Sequence, residues 1–218
     1  MEPLAEPLVL HVDSFYISPY VCAAFVALTE KGLKFEVREV KLHEGDQKTA
    51  TFVAASVTAR VPLLEHGAFQ LSESSAIVEY LEEIFPPPRY AALLPANPRE
   101  RARARQIMAW IRSDLMPIRQ ERSMETVIYT PATTPLSPAG QAAAAKVIAA
   151  ATAFLPEGRT SLFDTFTIAD LDLAIMLQRL IASGDPVPAP LQAFVAAQWQ
   201  RPSVRAFVDR HRAPYIGY

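Results

Sequence analysis

A single cysteine, Cys22, stands in a chain of 218 residues, so no intrachain disulfide can form. The four histidines, His11, His43, His66 and His211, are scattered without the short spacings that hold a metal ion. No apolar run approaches the ~20 residues of a membrane-spanning helix. Charge is nearly balanced, 21 Lys and Arg against 23 Asp and Glu for a net charge of −2, which argues against a general binder of nucleic acid or of anionic membranes. Met1 to Leu10 lack the basic and apolar regions of a secretory signal. There are no internal repeats and no low-complexity tract. These absences lead to the expectation of a soluble cytoplasmic protein without a metal, nucleic-acid or membrane partner.

Half of the residues are hydrophobic, enough for a sizeable core, and the length suits one or two domains. Leu8 to Val12 reads as a first strand, and Asp13 to Ser18 as a loop. Ser18 and Pro19 suit the N-cap and first position of a helix that Gly32 ends. Phe35 to Val40 alternates apolar and charged residues, the pattern of a half-buried strand, and His43 to Thr58 is irregular or weakly helical. Arg60 to Leu64 and Phe69 to Leu71 read as two strands joined at His66-Gly67. A helix then opens with Ser72 as its cap and Glu73 in its first turn, presenting Ala76, Ile77, Tyr80, Leu81 and Ile84 on one face. Pro86-Pro87-Pro88 and Leu94-Pro95-Ala96-Asn97-Pro98 interrupt the chain. Beyond them the pattern is helical. A helix from Arg99 to about Glu121 is kinked at Pro117, a loop covers Ser123 to Leu136, and a second helix runs from Ala139 to Leu155. Thr167-Ile168-Ala169-Asp170 resembles a capping box and opens an apolar, buried helix, and two short helices follow around Pro190–Trp199 and Pro202–His211. The expected domains are 1–86, a Pro-rich linker 87–98, and an all-helical 99–218.

The stretch Arg60 to Leu81 carries the most chemistry. Val61 precedes a proline and is therefore extended, so its N–H and C=O can pair with a peptide laid alongside as an added strand. Glu73-Ser74 places a carboxylate, a hydroxyl and free N–H groups at one helix N-terminus. The N–H groups suit a ligand carboxylate and Glu73 suits a ligand ammonium, the two charges of an α-amino acid head. Taken locally, these residues also describe a plain hairpin followed by a capped helix.

The order Val-Pro-x-Leu, hairpin, Glu-Ser-x-x-Ile resembles the glutathione-binding half of the glutathione transferase family. Ser18-Pro19-Tyr20-Val21 is similar to the Cys-Pro-Tyr-Cys of glutaredoxins with both cysteines replaced, and to the Ser-Pro of tau-type transferases; omega-type members keep cysteine there. The resemblance implies an α/β thioredoxin-like N-terminal domain followed by an all-α helical-bundle domain. It implies a cis Val61–Pro62 bond, Val61 paired with the cysteinyl backbone of glutathione, and Glu73 and Ser74 on its γ-glutamyl head. Ser18 is then the catalytic residue, its hydroxyl donating to the glutathione thiolate, and Arg60 is a further glutathione contact. Tyr16 is the rival hydroxyl, and Ser14 lies farther from the turn. Cys22 reads as a small buried hydrophobe. Tyr16, Trp110, Asp114 and Met116 are the residues assigned to the second-substrate cleft. The basic run Arg99, Arg101, Arg103, Arg105 begins the helix that in the family lines the dimer interface and the cleft.

The function implied is a serine-type glutathione S-transferase acting in detoxification. Glutathione is its co-substrate, a hydrophobic electrophile its second substrate, and the protein is a homodimer without a metal. Reduction of organic hydroperoxides by the same thiolate is a companion activity. Two alternatives stay open: a non-catalytic member that binds glutathione or a partner protein, and a glutathione-dependent thiol oxidoreductase, which the serine at position 18 argues against.

Overall fold

The computed structural model describes residues 6–217. They form two compact units, one of residues 6–93 with 206–217 and one of residues 94–205. This differs from the expected division. Residues 87–93 belong to the first unit because a buried ion pair holds them there. Lys31 Nζ donates to Glu82 Oε2 at 2.9 Å, to the Phe85 carbonyl at 2.8 Å and to the Ala91 carbonyl at 2.9 Å. Glu82 Oε2 also accepts from the Leu93 N–H at 3.0 Å. Residues 206–217 join the same unit through aromatic and arginine contacts described below.

The first unit has a four-stranded mixed sheet in the order β2-β1-β3-β4, with β1 Leu8–Asp13, β2 Glu36–Val40, β3 Leu63–His66 and β4 Phe69–Ser72. β1 pairs parallel with β2 and antiparallel with β3. Between β1 and β2 lies helix α1, Pro19–Glu30; α2, Ala50–Ala55, precedes β3; α3, Ser74–Ile84, follows β4. Leu10, Val12 and Leu64 share one face of the sheet and are fully buried, as are Val21, Ile77 and Leu81 of α1 and α3. On the other face Phe52 of α2 packs with Val40 and Leu63, and Val61 lies against that cluster. The irregular segment foreseen between β2 and β3 contains two 3₁₀ turns and α2.

Two local expectations are corrected. Ser72 does not cap α3, because it is committed to the sheet opposite Leu63; Glu73 takes the N-cap position with φ +72°. His66 is a buried strand residue, its Nδ1 2.8 Å from the Tyr80 hydroxyl, and the turn is made by Gly67 (φ +57°) and Ala68.

The second unit contains α4 Pro98–Ser113, α5 Met116–Glu121, α6 Met124–Ile128, α7 Pro138–Phe154, α8 Ile168–Ala182 and α9 Ala189–Trp199. Pro117 does not kink a continuous helix. The chain breaks at Leu115, which has φ +61°, and Pro117 falls in the first turn of α5, where a missing N–H costs nothing. The short α6 occupies part of the expected loop. Asp170 accepts from the N–H and hydroxyl of Thr167, each at 2.8 Å, and from the Leu162 N–H at 2.6 Å, so the expected capping box stands at the head of the buried α8. A short helix, α10 Pro202–Val208, follows α9.

Candidate functional site

The register of the sheet brings three loops to one of its ends. His11 of β1 lies opposite Leu63 of β3, and Leu63 lies opposite Ser72 of β4. The exit from β1, the entry to β3 and the exit from β4 are therefore neighbours. Ser18, Val61-Pro62 and Glu73-Ser74 sit on those three connections.

Ser18 is the N-cap of α1, and its Oγ accepts from the Val21 N–H at 3.3 Å. That bond uses a lone pair and leaves the hydroxyl proton to donate. The side chain sits at a helix N-terminus, where the dipole favours negative charge. The loop before it is organised by Asp13, a residue that sequence reasoning passed over. Its carboxylate is fully buried and accepts from the Ile17 N–H at 2.9 Å and the Ser18 N–H at 3.1 Å. Burial pushes the Asp13 carboxyl above the usual aspartate range, while the two N–H bonds pull it back. The signal available in the sequence was a lone acid ending an apolar strand five residues before a Ser-Pro turn.

Tyr16 is in the same loop with φ +51°, and it is buried. Its hydroxyl donates to Glu39 Oε1 at 2.9 Å, and its pKa is pushed up to about 12, first by burial and then by the Glu39 carboxylate. A phenol so engaged is poorly placed to serve a thiolate. The Ser14 hydroxyl, by contrast, is buried with no hydrogen-bond partner among the described residues. Cys22 is buried within α1, as expected of a small apolar residue.

The Val61–Pro62 peptide is cis. Val61 precedes the β3 ladder, and nothing among the described residues pairs with its N–H or C=O. The approach to it is fixed by the buried Ser56, whose Oγ donates to the Arg60 carbonyl at 3.0 Å and accepts from the Arg60 N–H at 3.3 Å. The Arg60 side chain is exposed, Glu73 is exposed, and Ser74 is buried at the head of α3.

The other assigned residues lie in the second unit. Trp110 Nε1 donates to Asp114 Oδ2 at 3.0 Å, and Lys146 pairs with the same oxygen. The Lys146 bond, with help from the Leu115 N–H, holds the Asp114 carboxyl down to about 2. Met116 is 51% exposed, a large apolar side chain in water. Tyr16, assigned with them, belongs to the first unit.

A mixed four-stranded sheet with a cis-proline loop beside two helix heads, followed by an all-helical unit, defines the glutathione transferase fold. The chain belongs to the glutathione S-transferase family: the family's N-terminal domain profile matches residues 14–89 and its C-terminal domain profile residues 97–212. A glutathione transferase homolog from a Burkholderia (BGR1), crystallised with bound glutathione, is 45% identical, with a TM-score of 0.79 over 94% of this chain and 97% of that one. A bacterial maleyl pyruvate isomerase described as a zeta-class glutathione transferase is 28% identical, with a TM-score of 0.71 over 92% of this chain and 96% of that one. Among curated proteins, a maleylpyruvate isomerase of Ralstonia sp is 38% identical over 100 residues, 46% of each chain. The chain spans about half the length of the curated relatives it matches.

Proposed function

We propose that this chain is a glutathione-dependent enzyme in which the Ser18 hydroxyl donates a hydrogen bond to the thiolate of bound glutathione. The observation that carries this reading is the convergence of Ser18, Val61-Pro62 and Glu73-Ser74 on one end of the sheet. Val61 pairs through its unused N–H and C=O with the cysteinyl residue, as an added strand would. Glu73 meets the ammonium, and Ser74 with the α3 N-terminus meets the carboxylate of the γ-glutamyl head. Arg60 lies beside the ligand as a solvent-facing contact. The thiolate then attacks an electrophilic carbon, forming a C–S bond and expelling a leaving group, or attacks the terminal oxygen of an organic hydroperoxide, breaking the O–O bond, releasing the alcohol and leaving a glutathione sulfenic acid that a second glutathione converts to the disulfide and water. The electrophile is an apolar small molecule served by Trp110, Asp114 and Met116. A conjugation assay with a generic aromatic halide beside a hydroperoxide assay tests the reading; inactivity in both, with glutathione bound, overturns it and leaves the isomerisation below or a binding role.

A second reading is favoured by relatives named maleylpyruvate and maleylacetoacetate isomerases. The same thiolate can add to a double bond conjugated with a carbonyl. After rotation about the resulting single bond it is expelled, with glutathione unchanged. Following a cis-alkene diacid by absorbance separates this from conjugation: isomer accumulates while free thiol stays constant.

Replacing Glu73 with Gln is expected to weaken glutathione binding by about 1.5–3 kcal/mol, the worth of a charge-assisted contact, while slowing the bound complex little. Unchanged affinity by calorimetry removes Glu73 from the ammonium site. We further propose a homodimer, on the strength of the exposed Arg99, Arg103 and Arg105 on α4 and the exposed Phe69 and Val57 of the first unit. Light scattering at micromolar concentration should give twice the chain mass; the mass of one chain contradicts it.

A further inference from the structure

Residues 206–217 pack onto the loop that carries Ser18 and onto Phe25 of α1, and Arg212 ties the segment together by donating to the Phe207, Val208 and Arg210 carbonyls. Phe207, fully buried, meets the Tyr16 ring at 6.0 Å and the Phe25 ring at 5.5 Å. The Arg210 guanidinium lies 4.8 Å from the Tyr16 ring centre and 5.1 Å from that of Phe25. Tyr215 sits edge-on to Phe15 at 5.2 Å. Arg212 Nη2 reaches the Tyr16 carbonyl at 3.5 Å, and its charge acts favourably on the Asp13 carboxylate. Tyr16 itself is in the left-handed region at φ +51°, a conformation that costs a bulky residue free energy unless its surroundings hold it. What holds it is on both sides: the Asp13 carbonyl takes the Tyr16 N–H at 3.0 Å, and the Asp13 carboxylate takes the next two N–H groups, of Ile17 and Ser18.

We propose that Asp13 and Arg212 are a positioning pair for Ser18: Asp13 fixes the Ser18 backbone through its N–H, and Arg212 holds the Tyr16 carbonyl, so that the Ser18 hydroxyl is presented at one fixed place. This rests on the reading of Ser18 as the thiolate's donor. Neither residue touches glutathione in this account. Both act on where a donor stands, and misplacement of a reacting group by about 1 Å can cost as much as ~10²-fold in rate.

The test uses the full chain with Arg212→Met, which keeps bulk but removes charge and donors, and Arg212→Lys, which restores the charge. Asp13→Asn is the second variant, and Tyr215→Leu, at a half-buried position, loosens the same segment should Arg212→Met fold poorly. Turnover and KM for glutathione are measured with an aromatic halide, and the thiol of bound glutathione is titrated by thiolate absorbance. Expected for Arg212→Met is a fall of about tenfold in kcat with KM for glutathione changed less than about twofold, and a bound-thiol pKa raised by about one unit. Arg212→Lys should recover part of both. Ser18→Ala is run in parallel, and Arg212→Met added to it should cost nothing further, since the donor is already gone. If Ser18→Ala lowers turnover while Arg212→Met and Asp13→Asn leave kcat and the thiol titration unmoved, the positioning role is overturned and the Ser18 reading stands. A lowered Tm with an unshifted thiol overturns it too. If Ser18→Ala is silent, the Ser18 reading fails, and any loss in Arg212→Met then belongs to a route other than Ser18.

Discussion

Ser18→Ala is expected to raise the pKa of the bound glutathione thiol by one to two units and to cut turnover near neutral pH by about 10- to 100-fold, each unit corresponding to about 1.4 kcal/mol. The sign follows from which form reacts. With the donor gone the thiolate is less favoured, so less of it is present at neutral pH, and the deficit should narrow as pH is raised through the new pKa. Some stabilisation survives, because the α1 terminus keeps its dipole. Affinity for glutathione should fall little, since Val61, Glu73 and Ser74 hold the rest of the ligand in this reading. The substitution also removes the acceptor for the Val21 N–H, and loss of such a cap costs about 0.5–2 kcal/mol of stability. Tm is therefore measured beside activity. Ser18→Cys is the companion: given glutathione disulfide, the introduced thiolate should attack one sulfur, form a mixed disulfide and expel glutathione thiolate, while conjugation falls. Full activity and an unshifted thiolate titration in Ser18→Ala would reduce Ser18 to a helix cap. Ser14, with its unpartnered hydroxyl, would then be tried before Tyr16, whose hydroxyl is spent on Glu39.

Removing one partner of the Lys31–Glu82 pair should have the largest effect on stability. The side chains are 0% and 3% exposed, so Glu82→Ala strands a buried ammonium and unpairs the Leu93 N–H. Breaking a buried pair from one side costs about 3–5 kcal/mol, because the remaining charge stays desolvated. The expected result is a lower urea midpoint at unchanged slope, the sign of lost stability rather than altered compactness. Lys31→Met combined with Glu82→Leu removes both charges and should recover much of the loss, leaving the Phe85 and Ala91 carbonyls and the Leu93 N–H as the residual cost. A single-variant loss under about 1 kcal/mol would show that water reaches the pair, as it does for surface ion pairs.

Local rules read the first unit well because its signals are local. The strand order and Ser18-Pro19 at a helix head depend on neighbours within a few residues and are where the sequence places them, as is the Thr167–Asp170 box of the second unit. The failures come where two local rules compete. Ser72 is a good cap by type, yet the ladder to Leu63 claims its backbone and passes the cap position to Glu73. Pro117 disrupts a helix interior but suits a helix start, and which applies depends on Leu115 adopting φ +61°. Residue type alone leaves both readings open at each place, so packing decides.

The sequence by itself determined the alternation of strands and helices, the Ser-Pro and Val-Pro turns, and the residue types able to meet an amino acid head and a thiolate. Each follows from backbone sterics and side-chain chemistry over a short span. Only the tertiary structure decided that the three site segments share one end of the sheet, that Tyr16 is spent on Glu39, and that Asp13 and Arg212 bracket the Ser18 loop. Sheet register couples strands far apart in the chain, and Arg212 meets Tyr16 across 196 positions. Contacts of that range leave no periodicity in the sequence, because their energy is gained only after the intervening chain has folded.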